Sequence, residues 1–240
     1  MYELQTKGNV MQHDRKQVAV WDVFIRLFHW CLLVAVAVSF YTTKTDGIPF
    51  LFPIEVHAQA GYLIIGLLIF RIIWGVLGTT YARFSTFVYG PRDTAVYTKA
   101  LFKRRAPRYA SHNPLGGWMV VLLLLSLSFQ AVSGLFLSDD IFFQGPLYGL
   151  LGRDISGELA SLHALNSDIL LILIGLHLVG VVVHALQGEN LVAAMVTGIK
   201  RFTSEPVDIK QTHRTKHHLF ALGAFLVAAG ICGWLWFYPY

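Results

Sequence analysis

Residues 162–186 read LHALNSDILLILIGLHLVGVVVHAL. The stretch is apolar for long enough to cross a bilayer, since about 20 residues at a rise of about 1.5 Å span a hydrocarbon core about 30 Å thick. It nevertheless carries His163, His177 and His184. Ionisable side chains inside a membrane are rare and mark function. His163 and His177 lie 14 residues apart. That is almost four helical turns, so both rings leave one face of the helix about 21 Å from each other. One helix therefore offers two imidazoles at different depths.

The rest of the chain has the same character. Of 240 residues, 55% are hydrophobic and 14% charged, and mean hydropathy is +0.55. Five apolar runs are long enough to span: 18–42, 57–79, 114–137, 159–186 and 219–238. The expected fold is an all-α polytopic membrane protein with little mass left for a soluble domain. Cys31 and Cys232 both sit inside apolar runs, and no CxxC or CxxCH is present. Zinc, dithiol and covalent c-type haem chemistry are therefore not indicated. The polar stretch 1–17 lacks the features of a signal peptide.

Lysine and arginine set the orientation. The segments 1–17, 80–113 and 187–218 hold three, seven and five of them, whereas 43–56 and 138–158 hold one each. This alternation puts the N-terminus inside and, after five spans, the C-terminus outside. The net charge of +5 reflects these loops, and no nucleic-acid partner is expected. The run KRRAPR at 103–108 reads as a segment facing lipid headgroups. GENLVAAMVTGIKR at 188–201 has the spacing of a short amphipathic helix at the inner face. The outer connections TDGIPFLFP and SDDIFFQGPLYGLLGRDISGE read as compact loops, one of which could hold a partner or a quinone ring.

Given that topology, the histidines pair by depth. His29, in DVFIRLFHWCLLVAVAVSF at 22–40, lies in the inner half of the first span. His57 opens the second span near the outer surface, level with His163, and His29 is level with His177. Two neutral imidazoles at one height suit the axial positions of a six-coordinate b haem, which is held without covalent attachment. Gly61, Gly66, Gly175 and Gly180 either admit the macrocycle or serve ordinary close helix packing. His184 competes with His177 for the inner pair. It lies shallower, where it suits a propionate, a quinone or a proton path. Arg26, one turn from His29, and Arg71, in the inner half of the second span, either meet haem propionates or snorkel to the inner interface. His213, His217 and His218 fall in an inner basic run.

Five pieces in order along the chain carry a resemblance: VWDVFIRLFHW (20–30), VHAQAGYLIIGLLIFRIIWGVLGTTYARF (56–84), HNPLGGW (112–118), LHALNSDILLILIGLHLVGVVVHAL (162–186) and ENLVAAMVTGIKR (189–201). Together they resemble the bacterial di-haem cytochrome b proteins that include the b-type cytochrome subunit of nickel–iron hydrogenases. The resemblance implies a four-helix haem-binding core over 18–201 with two b haems. Its ligands would be His29 and His177 for the inner haem, and His57 and His163 for the outer one. It also implies electron transfer between the quinone pool and a redox partner in the bacterial inner membrane. That partner would be a hydrogenase, a c-type cytochrome or another oxidoreductase. Residues 202–240 add a basic loop and a fifth span beyond that core. The competing readings are a stand-alone superoxide:quinone oxidoreductase and a haem-free proton or ion transporter relaying through His29, His177 and His184.

Overall fold

The structure, a computed structural model, describes residues 16–44, 54–139, 143–202, 205–210 and 217–237. The tail before Lys16, the TDGIPFLFP connection and the basic run around His213 lie outside the described residues. Among the described residues, five helices are long and apolar enough to cross a membrane. These are α1 (Val23–Lys44), α2 (Ile54–Leu77), α4 (Pro114–Gly134), α5 (Arg153–Leu186) and α7 (His217–Trp236). Two shorter helices, α3 (Pro91–Phe102) and α6 (Leu191–Thr197), lie in the connections.

Helix α2 is the hub. It packs on α1, α4 and α7, while α5 packs on α4. The reason is visible in its side chains. Half of the most apolar stretch of α2 is buried, against 6% for α5. Trp74 is fully enclosed, stacked on Phe70 at 5.9 Å and met edge-on by Phe24 of α1 at 5.2 Å. Leu165, Ile172, Leu176 and Val179 of α5 face outward, as lipid-facing positions must.

The helix termini follow local chemistry. Asp22 accepts from the Ile25 N–H at 2.9 Å and starts α1. It also accepts from Trp74 Nε1 at 3.1 Å and from Thr79 Oγ1 at 2.5 Å, which ties α1 to the inner end of α2. Asn113 caps α4 through the Gly116 N–H at 2.8 Å, with Pro114 as its first residue. Both motifs satisfy backbone groups that a helix start leaves unpaired.

The structure revises the sequence expectation at the inner surface. Val18 and Ala19 do not begin the first span. They belong to β1 (Lys16–Ala19), which pairs antiparallel with β2 (Ile199–Phe202). The expected amphipathic helix accordingly stops at Thr197. Gly198 then takes φ +81°, and a Cβ there would stand 2.6 Å from the Trp21 carbonyl oxygen. Only glycine allows both the turn and that approach.

The fifth span lies against α2. Ala221, Ala224, Ala228 and Leu235 of α7 are buried. A Cβ on Gly66 would sit 3.1 Å from Cys232 Cβ. Of the two readings for the glycines, Gly66 takes close helix packing, here with α7.

Candidate functional site

The outer pair is well defined. His57, near the start of α2, and His163, ten residues into α5, have ring centroids 6.3 Å apart. A metal–imidazole bond is about 2 Å long. Two rings ligating one ion from opposite sides therefore hold their centroids about 6 Å apart. The His57 Nδ1–H donates to the Ser39 carbonyl at 3.1 Å. On the other side, His163 Nδ1 lies 2.9 Å from Ser133 Oγ. Ser133 uses its own proton on the Gln130 carbonyl at 3.1 Å, so the His163 ring donates. With both Nδ1 atoms protonated, each Nε2 keeps its lone pair.

A cavity of about 400 Å³ opens between the rings. Val36, Ile64, Leu127 and Leu170 give it apolar walls, and Gly61 lines it without side-chain bulk. Among the described residues no group of three or more His, Cys, Asp or Glu is placed to hold a metal ion. A bare ion would lack ligands here. A tetrapyrrole would bring four nitrogens of its own and need two imidazoles from the protein, which His57 and His163 would supply, so the residues fit that group.

At the inner side, His29 of α1 and His177 of α5 are close enough for the charge of one to act on the other. The His29 Nδ1 is buried without a hydrogen-bond partner. Arg26 donates from Nη1 to the Val196 carbonyl, and its Nε is buried without a partner. Arg26 is thereby tied to the end of α6. Arg71 is 4% exposed. Its guanidinium lies 4.5 Å over the Phe84 ring, and Nη1 has no hydrogen-bond partner. Arg71 is thus buried inside the helical core.

Several polar residues near this side escaped the sequence reading. His112 packs against Phe87 at 4.7 Å and Trp21 at 6.1 Å. Desolvation, reinforced by Arg71 and Lys200 and then by His177 and His29, pushes it down to about 3. It is a neutral imidazole beside the inner pair. Its position in HNPLGGW was legible, but nothing in the spacing tied it to His29. Glu189 and Lys200 are both buried and lie 3.6 Å apart. Glu189 also meets His184 Nδ1 at 3.3 Å and Arg108 at 3.8 Å. Because Asn113 Oδ1 is taken by Gly116, its amide nitrogen donates to His184 Nε2 at 2.9 Å. His184 is thus engaged by Asn113 and Glu189 at the inner surface.

Residues 20–198 match the family described as prokaryotic cytochrome b561. A probable Ni/Fe-hydrogenase B-type cytochrome subunit from Rhizobium leguminosarum bv. viciae is 24% identical over 219 residues, covering 79% of this chain and 91% of that protein. A protein of the same description from Azotobacter chroococcum mcd 1 is 25% identical over 235 residues, covering 84% and 96%. No solved structure matches the chain.

Proposed function

Because the chain belongs to the prokaryotic cytochrome b561 family, and so is a multi-pass membrane b-type cytochrome of electron transfer, we propose that it binds two b haems and connects a redox partner with the quinone pool. His57 and His163 would hold the outer haem, and His29 and His177 the inner one. When bound, haem supplies a one-electron carrier whose potential the protein tunes. The carrying observation is the outer pair. Two imidazoles have ring centroids 6.3 Å apart, with Nδ1 protons committed to Ser39 and Ser133.

The chain's own residues do the positioning. Ser39 and Ser133 fix the tautomer and orientation of the outer rings. The apolar wall of Val36, Ile64 and Leu170 excludes water there. At the inner side Arg26 and Arg71 present buried N–H groups without partners, which suits the propionates of a haem. The hydrogenase subunits among the relatives support a hydrogenase as the partner. The basic inner loops support an inner-membrane location with the N-terminus inside.

The test is haem stoichiometry with a reduced-minus-oxidised spectrum. The wild type should hold two b haems, and His57→Ala or His163→Ala one. A haem-free protein would refute the reading and leave the transporter. Two haems retained in both variants would refute the pairing.

A further inference from the structure

The two histidine pairs are surrounded differently. At the outer pair both rings donate from Nδ1, to Ser39 at 3.1 Å and to Ser133 at 2.9 Å. The Ser133 acceptor is braced from behind. Its hydroxyl proton goes to the Gln130 carbonyl at 3.1 Å. Asn166, on α5 beside His163, donates to Gln130 Oε1 at 2.6 Å and to the Ser126 carbonyl at 3.0 Å. It also accepts from Ser126 Oγ at 3.0 Å. These bonds stitch α4 to α5 and hold Ser133 against the ring. Donation from Nδ1 makes the far nitrogen a more basic ligand, which favours the oxidised metal.

At the inner pair the His29 ring lacks this support. The His29 Nδ1 has no partner among the described residues. Arg26 and Arg71 instead bring buried guanidinium N–H groups without acceptors. Asp22 lies near Arg71, but its oxygens are taken by Ile25, Trp74 and Thr79. Lys200 is largely offset by Glu189. The charge of Arg71 acts on His112, on which those of His177 and His29 also act. Positive charge favours the reduced metal.

We infer that Ser133 is a tuning residue of the outer histidine pair, and that the outer site has a lower reduction potential than the inner one. The inference rests on the haem ligation proposed above. With haem bound, the inner histidine pair would hold the more readily reduced group and the outer pair the less readily reduced one. No bond forms or breaks.

Redox titration of the purified, haem-loaded protein tests this, with absorbance and EPR as readouts. Two midpoints are expected. Ser133→Ala should raise the lower midpoint by a roughly tenfold change in the reduced-to-oxidised ratio, about 59 mV for one electron. It should also move the ferric EPR signal of that site and leave the upper midpoint in place. Ser133→Thr, which keeps the hydroxyl, should restore both. His163→Ala should leave one haem titrating at the upper midpoint. Should that variant fail to fold, an impermeant lanthanide chelate on the His57 side of sealed vesicles provides the assignment by broadening only the low-potential signal. A two-haem Ser133→Ala protein with both midpoints unchanged, or with the upper one moved, overturns the inference alone. So does a chelate or His163→Ala result that assigns the upper midpoint to the outer site. Loss of haem ligation by these histidines overturns the ligation reading and the inference with it.

Discussion

Among single residues, Glu189 carries the most charge-pairing at the inner surface. It is 7% exposed and faces Lys200, His184 and Arg108. Burial by itself would raise its carboxyl, but His184, Lys200 and Arg108 together hold it below its ordinary 4.5. Burial lowers Lys200 from its ordinary value, against the opposing pull of Glu189. Removing the carboxylate would leave Lys200 buried without its counter-charge, a defect of about 3 kcal/mol. Glu189→Gln should therefore lower the thermal midpoint in detergent at neutral pH. The pH dependence follows from the sign of the carboxyl shift. A depressed carboxyl contributes its full stability above its unfolded value and loses it as pH falls through the folded one. Acidification below about pH 4.5 should therefore destabilise the wild type more than Glu189→Gln. Parallel melting curves for the two proteins across that range would decide it.

At the level of elements, the contact of α7 with α2 is the feature that sets this chain apart from a four-span core. Its surface is built from alanines at 221, 224 and 228 and from Gly66 opposite Cys232. In lipid, helices gain little from hydrophobic exclusion and depend on close packing, which small residues permit. A larger side chain at Gly66 would strike Cys232 Cβ and the Ala228 carbonyl, which lie 3.1 and 3.3 Å from an ideal Cβ. Gly66→Val should cost about 1–3 kcal/mol, read as a lower unfolding midpoint. Haem content should survive, because His57, His163, His29 and His177 lie on α1, α2 and α5, and none lies on α7. Loss of haem in a folded Gly66→Val protein would instead show that α7 shapes the binding core.

Across the whole molecule, the charge asymmetry of the connections is the ground for the orientation proposed above. Lys103, Arg104 and Arg105 are exposed beyond α3, on the side assigned to the cytoplasm. A cysteine introduced as Lys103→Cys should react with an impermeant maleimide only in inside-out vesicles, and one introduced as Leu150→Cys only in right-side-out vesicles. Labelling in the opposite pattern would invert the topology. The five spans were legible because apolar length is a strong signal, and the proximity of His57 and His163 matches a pairing expected from helix rise and loop charge. The partners of those histidines were not legible. Ser133 stands 30 residues from His163, and Asp22 stands 52 and 57 residues from Trp74 and Thr79. Such pairs depend on which helices become neighbours, which periodicity does not encode. The β1–β2 ribbon escaped for the same reason. Four residues ahead of the first span pair with four that follow the fourth, and neither group reads as a strand by itself. That ribbon also orders assembly in time. Lys16–Ala19 leave the ribosome before any span, yet their partners at Ile199–Phe202 emerge only after α5 and α6. The ribbon therefore stays open through most of synthesis and closes only after the first four spans, three of which carry the paired histidines, have been made.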